Sequence, residues 1–238
     1  MITFDEIYNQ GIRISQNIVE DIRFGRKLYL EPVIKLSIEI CKYINTNSNN
    51  NIFVLLNGVQ DKNPYMFSHP VNVAFISASI GKLLNMIHTE RVDIVCAALL
   101  HDVGKAKIKD SLLNKKDHLT LDEIDIIRTH PVRGYKILES VNLFNMKVLQ
   151  GVLFHHERMD GTGYPLGIKG ENINIFARII AIADTFDSIT ATKAYRRKMS
   201  PFQAIEEIQA SSVASLDSVI SKIFVTNFFE YYMNCAIQ

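Results

Sequence analysis

Apolar residues in this chain recur at helical rather than strand spacing, and polar or proline-marked breaks divide them into segments. Ile12, Ile14, Ile18, Val19 and Ile22 form one stripe, and Val33, Ile34, Leu36, Ile40 and Ile44 form a second, with Pro32 at the start of its helix. The charged stretch Arg23-Phe24-Gly25-Arg26-Lys27 connects them. The run from Asn45 to Asn51 consists of turn formers and reads as a linker. A short apolar run, Ile52–Leu56, and a second turn, Asp61-Lys62-Asn63-Pro64, follow it.

Beyond residue 66 the stripes lengthen and carry ligand-type side chains at their ends. His69, Val73, Ile76 and Ile80 fall at i, i+4, i+7 and i+11, which places His69 on a buried helix face. Pro70 biases His69 away from helical geometry, so the helix is expected to start near Ser68. Val92–Leu100 is an almost unbroken apolar helix that delivers His101 and Asp102 at its C-terminal end, with Gly104 as the turn. Residues 106–119 read as a basic, polar loop. Thr120-Leu121-Asp122-Glu123 has the form of a capping box and opens a helix through Ile124, Ile127 and His130, which Pro131 should break near His130. Val148–Phe154 leads into His155 and His156. Asn174 caps a helix through Ile175, Ile179 and Ile182 to Asp184, Ser200-Pro201 starts another, and Leu216–Tyr232 is the last. With no strand-like alternation, the pattern predicts an all-α fold: a small N-terminal helical region over residues 1–60, regulatory or dimerising, and a multi-helix bundle over 61–238.

Composition narrows the class of partner. The 238 residues include 47% apolar side chains, enough for a sizeable core, and 26 basic against 25 acidic groups give a net charge of +1. Such a balance predicts no DNA or RNA polymer and no membrane surface as partner, and makes any phosphate recognition local. Cys41, Cys96 and Cys235 lie far apart with apolar neighbours, as reduced thiols of a cytoplasmic protein do. Met1–Glu6 lacks the basic and apolar regions of a secretory signal, and no apolar segment reaches the roughly 20 residues of a membrane span. The expected location is therefore the cytoplasm.

The candidate chemistry gathers in Phe154-His155-His156-Glu157-Arg158-Met159-Asp160-Gly161-Thr162-Gly163-Tyr164-Pro165, in His101-Asp102-Val103-Gly104-Lys105, and at Asp184. Adding His69 and His130 makes a set of five histidines and two carboxylates, all at helix ends or on apolar faces. A nitrogen and oxygen donor set without cysteine suits first-row ions. Seven donors exceed what one catalytic ion uses while it keeps a position open for water, so two ions are the simpler reading, with Asp102 as the natural bridge. Two ions about 3.5–4 Å apart clamp a phosphodiester and generate hydroxide at neutral pH. Adjacent pairs such as His101–Asp102 and His155–His156 point about 100° apart on a regular helix and must sit on relaxed, terminal backbone to converge. Spacing alone leaves open a set of scattered structural histidines.

The segments 101–105 and 155–165, with Asp184, Asp187, Tyr195 and Arg196, closely resemble the HD-GYP family of metal-dependent cyclic di-GMP phosphodiesterases, over roughly residues 61–225. Residues 20–60 are similar to the helical region that precedes the catalytic domain in some members. The resemblance implies an HD-domain bundle with two divalent transition-metal ions, iron or manganese. His69, His101, Asp102 and Asp184 would hold one ion, and Asp102, His130, His155 and His156 the other. It implies Asp102 and Lys105 as catalytic residues and Lys105, Tyr164, Lys193 and Arg196 as contacts to a cyclic dinucleotide; the N-terminal helices, from their own pattern, are expected to offer a surface for a homodimer or partner protein. Asp187 would order the loop or Arg196 rather than bind metal, and Glu157 and Asp160 would either support the metal ligands or, the preferred reading, brace their loop. His88 and His118 belong to the surface. Tyr65 stands where some members carry a glutamate for a third ion, and Lys193 where an arginine is usual. The implied activity is hydrolysis of cyclic di-GMP to pGpG, with cleavage onward to GMP left open. Another cyclic dinucleotide or nucleotide as substrate, and a non-enzymatic cyclic di-GMP or protein-binding module, are the alternatives.

Overall fold

The computed structural model describes residues 2–47, 52–59, 63–191 and 199–235. Among them the chain is helical, with no strand. In chain order the helices are α1 (Phe4–Arg23), α2 (Glu31–Thr46), α3 (Ile52–Val59), α4 (Tyr65–Leu83), α5 (His88–Leu100), α6 (Asp110–Leu113), α7 (Leu121–Arg128), α8 (His130–Val141), α9 (Met146–Phe154), α10 (Ile175–Thr190), α11 (Pro201–Ser211) and α12 (Ser218–Cys235). Short 3-10 turns occupy Val103–Lys107 and Gly170–Asn172.

Local chemistry sets the helix ends. Thr3 and Glu6 form a capping box at α1, Thr120 and Glu123 form one at α7, and Ser200 and Gln203 form one at α11 behind Pro201. Asn174 Oδ1 accepts from the Phe176 amide at 2.8 Å and starts α10. The break expected at Pro131 falls where α7 ends and α8 begins. Two expectations need correction. The helix carrying His69 begins at Tyr65, three residues before Ser68, and takes Pro70 into its second turn. A proline so close to the helix start gives up one backbone bond where the first turn is still free to open. The stretch 106–119 is not all loop, since it holds the end of the first 3-10 turn and all of α6. In the run expected as a linker, α2 continues to Thr46, and Ser48–Asn51 lie outside the described residues.

α4 is apolar all round and sits at the centre of the bundle, against α1, α2, α5 and α10. Val71, Val73, Ala74, Phe75, Ile76 and Ile80 are sealed inside. The stripe of α1, including Phe4, Ile7, Tyr8, Ile12, Ile18 and Ile22, joins that same core. α5, α9 and α10 close the other side, and α8 packs on α9 and on the first 3-10 turn. The N-terminal third of α4, the C-terminal ends of α5 and α9, the start of α8 and the second half of α10 thus meet in one place.

Candidate metal centre

That meeting point holds all seven side chains of the expected set. His155, His101, His130 and His69 are buried, while Asp102, Asp184 and His156 keep side-chain exposures of 10%, 14% and 17%. The open side of the cluster is therefore formed by the two carboxylates and His156. His101 and His155 are the capping residues that end α5 and α9, and Asp102 and His156 follow on turn backbone. This relaxation lets neighbouring residues point into one centre. It also aims the negative ends of two helix dipoles at that centre, which favours positive charge there.

The donors fall into two groups, each able to hold a metal ion: His69, His101 and Asp184, and Asp102, His130, His155 and His156. Asp102 spans them. Its Oδ2 lies 3.6 Å from His69 Nε2 and 3.5 Å from His101 Nε2, and its Oδ1 lies 3.2 Å from His130 Nε2. Asp184 reaches His69 Nε2 at 3.1 Å with one oxygen and His156 Nδ1 at 3.9 Å with the other.

The fit to metal rests on hydrogen-bond bookkeeping. His101, His130 and His155 each use Nδ1 on a backbone carbonyl, of Ala98 at 2.7 Å, Ile127 at 2.8 Å and Val152 at 2.7 Å. A carbonyl only accepts, so each Nδ1 bears the proton and each Nε2 of a neutral ring carries a bare lone pair. His130 and His155 then face each other Nε2 to Nε2 at 3.2 Å. His69 and His101 do the same at 3.2 Å, and Asp102 Oδ1 is buried without a well-formed hydrogen bond. Lone pairs so arranged repel one another unless a cation joins them.

Electrostatics agree with this. Burial pushes His101, His155 and His156 below the ordinary imidazole range, which keeps them neutral and ligating. Burial alone would raise the carboxyls, yet Lys105, His101 and His130 outweigh it at Asp102, and His69 with His156 and His101 outweigh it at Asp184. Both are held well below the usual carboxylate range. His69 goes the other way. Its burial is overcome by Asp184 and Asp187, which raise it to about 9.

Around the donors, Lys105 Nζ donates to Asp102 Oδ2 at 2.6 Å. The Tyr164 ring stacks on His156, and the Arg128 guanidinium lies over the Tyr164 ring, 5.4 Å from its centroid. Glu157 Oε1 accepts from the amides of Leu166 and Gly167, and Asp160 Oδ1 from Thr162, so both carboxylates brace the loop as expected. Gly163 is required by close approach: a Cβ there would lie 2.5 Å from His156 O and from Glu157 Cα. Gly104 likewise serves contact rather than turning, as a Cβ would meet His130 O at 2.0 Å. His88 and His118 are exposed, as expected. Lys193, Tyr195 and Arg196 lie outside the described residues.

Asp187 has a partner that the sequence did not reveal, while the Arg196 it was expected to order lies outside the described residues. Asp187 is buried, and its oxygens meet His69 Nδ1 at 2.6 Å and Asn72 Nδ2 at 2.7 Å, so it orders a donor of the centre. The sequence signal was its position three residues after Asp184, on the same face of α10. Asn72, three residues after His69, and Tyr65, whose hydroxyl lies 3.0 Å from His69 Nδ1, complete that surround.

A helical bundle whose His-Asp pair ends an apolar helix, amid further imidazoles and a carboxylate from neighbouring helices, defines the HD class of fold. The chain belongs to the HD domain family, whose model matches residues 54–220, and within it to the HD-GYP type. It is 32% identical over 192 residues to the cyclic di-GMP phosphodiesterase PA4108 of Pseudomonas aeruginosa, covering 81% of this chain and 46% of that protein. It is also 32% identical to the 3′3′-cGAMP-specific phosphodiesterase 3 of Vibrio cholerae, covering 67% of this chain and 34% of that one. The chain thus spans less than half the length of these curated relatives. Among solved structures, Bd1817, an HDG"Y"P protein from Bdellovibrio bacteriovorus, shares the fold with a TM-score of 0.72 at 17% identity, over 94% of this chain and 71% of that one. No described helix is long and apolar enough to cross a membrane.

Proposed function

We propose that this chain is a metal-dependent phosphodiesterase that opens cyclic di-GMP to the linear dinucleotide pGpG. The observation that carries the reading is the facing of imidazole Nε2 atoms at 3.2 Å on both sides of Asp102, which presents one oxygen to each group. In this reading His69, His101, Asp102 and Asp184 hold one divalent transition-metal ion, and Asp102, His130, His155 and His156 hold a second. Iron or manganese suits the nitrogen and oxygen donors. Ions held there supply Lewis acidity toward a phosphodiester and lower the pKa of water.

The chain's own residues do the rest. Asp102 binds between the two imidazole groups, and Lys105 beside it offers a cation to the phosphate oxygen on which charge develops. Tyr164 walls the open side and holds His156. Lys193 and Arg196 are assigned to the substrate phosphates on their place in the sequence after Asp184.

A second substrate, 3′3′-cGAMP, is suggested by the Vibrio relative, which has the same 32% identity as the Pseudomonas one over a shorter stretch. Chromatography of products from both dinucleotides, with protein loaded anaerobically with manganese or iron, tests the proposal. Conversion of cyclic di-GMP to pGpG is expected. Protein that holds two ions and leaves both dinucleotides intact would sink it.

A further inference from the structure

A buried chain of hydrogen bonds connects the N-terminal helix to the candidate metal centre. The Tyr8 hydroxyl, on α1, donates to Asn72 Oδ1 at 2.9 Å. Asn72 Nδ2, on α4, donates to Asp187 Oδ1 at 2.7 Å, and Asp187 Oδ2, on α10, accepts from His69 Nδ1 at 2.6 Å. Tyr8, Asn72 and Asp187 are each 1% exposed and His69 is 4% exposed, so bulk water does not compete for any of these bonds.

Each link fixes the direction of the next. A carboxylate only accepts, so the contact to Asp187 fixes a proton on His69 Nδ1 and makes Nε2, which faces His101 and Asp184, the nitrogen through which an ion would be bound. Asn72 can present its amide nitrogen to Asp187 only while its oxygen faces the other way, and the donor waiting there is the Tyr8 hydroxyl. Without that donor the Asn72 oxygen would be buried unpaired, and the amide would lose the bond that sets its orientation. Tyr8 is itself held firmly. Phe4 packs beside it at 5.6 Å between ring centroids, and one turn further along α1 packs so closely on α4 that a Cβ at Gly11 would lie 2.9 Å from Val71.

We propose that Tyr8 is a positioning residue of the metal centre, its hydroxyl acting through Asn72 and Asp187 to hold His69 in the tautomer and orientation that ligation needs. The inference rests on the two-ion reading above. It gives the N-terminal helical region a route to the centre through the core rather than along the surface: displacement of α1 on α4 breaks the first bond of the chain and loosens His69. The ion affected is the one shared with His101 and Asp184, and the other keeps its affinity.

Stepwise titration of manganese(II) into the metal-stripped full chain tests this, by calorimetry on wild type, Tyr8→Phe, Asn72→Ser, Asp187→Asn and Ile7→Val. Wild type is expected to take up two ions. Asp187→Asn weakens one of them about 10- to 100-fold, as loss of an outer partner of a ligating histidine does, and Tyr8→Phe and Asn72→Ser weaken the same one by roughly 3- to 10-fold. Ile7→Val trims the apolar packing of α1 and lowers the melting temperature without changing either affinity. Wild type with two ions and Tyr8→Phe with the same two affinities overturns the inference alone, as does an Ile7→Val variant that weakens binding as much as Tyr8→Phe. Wild type that binds no manganese overturns the two-ion reading and this inference with it.

Discussion

The ring of Tyr164 lies on the imidazole of His156, with centroids 4.7 Å apart and planes inclined by 25°. Its backbone amide also bonds to His156 O at 3.2 Å, so the tyrosine grips one residue by both ring and chain. His156 is the most exposed of the candidate donors, and stacking replaces the packing that burial gives the others. Tyr164→Ala is expected to weaken the ion held with His130 and His155 by about 10-fold, in the range of outer partners of metal-ligating histidines. Tyr164→Phe keeps the stack and should keep that affinity. Manganese titration of the two variants checks this, and equal weakening in both would show that the hydroxyl, not the ring, matters.

Gly104 brings Asp102 to His130. A methyl group at this position would stand 2.0 Å from His130 O and 2.6 Å from the Gly134 amide, both of them backbone atoms that no rotamer change can clear. Gly104→Ala must therefore push the first 3-10 turn off α8. Overpacking of this kind costs about 3 kcal/mol or more, and the separation of Asp102 from His130 should abolish metal uptake in whatever protein remains folded. Denaturant unfolding and metal analysis of the variant provide the measurement.

Periodicity in the sequence marks faces and ends, and that sufficed for much of the centre. His69 stands on an apolar face at helical spacing, and His101 with Asp102 closes an apolar helix, so their burial and their terminal backbone are legible in the sequence. Partners 115 or more residues away are not: the bonds from His69 and Asn72 to Asp187 are set by how α4 crosses α10. Gly163 is small because His156 and Glu157 press on it, a contact that no local pattern encodes. Pro70 misled for a related reason. The preference of the residue before a proline is a local term, and burial of α4 on every side outweighs it.

Acid should destabilise the metal-free protein. Burial holds His101, His155 and His156 below the ordinary imidazole value of 6.5, so the unfolded chain takes up protons near that pH while the folded chain does not. Unfolding then consumes protons, and stability falls as pH drops below about 6.5. His69, despite its burial, is raised to about 9 by Asp184 and Asp187, so its contribution is complete below the unfolded value and is lost as pH rises through about 9. The melting temperature of chelator-treated protein should therefore pass through a maximum near pH 6.5, falling toward acid with the three lowered histidines and falling up to about pH 9 with His69. A constant value between pH 7 and pH 5 would contradict a neutral, buried imidazole cluster.

Asp102 and Asp184 should differ when each is removed. Asp102 sends one oxygen to each imidazole group, 3.6 Å from His69 and 3.2 Å from His130, whereas Asp184 lies 3.1 Å from His69 and reaches only as far as 3.9 Å toward His156. Asp102→Ala is expected to lose both ions and all turnover. Asp184→Ala should lose the ion shared with His69 and His101 and retain the other, measured as about one metal equivalent per chain. Full turnover in Asp102→Ala would remove the basis of the proposed function.

Lys105 separates two tasks that one contact could serve. Its ammonium donates to Asp102 Oδ2 at 2.6 Å, and its side chain is 31% exposed at the edge of the open side. If the cation only steadied Asp102, its loss would lower metal affinity, because ligand orientation depends on such outer partners. If it meets charge developing on the phosphate, its loss would lower kcat about 100- to 1000-fold with both ions still bound, as removal of one preorganised donor does. The partial exposure of the side chain favours the second outcome, since a lysine beside the open side of the cluster is within reach of an incoming phosphate. Lys105→Met, assayed at saturating manganese with metal content measured on the same sample, decides between them. Metal loss in step with activity would assign Lys105 to Asp102 and leave the phosphate to other cations.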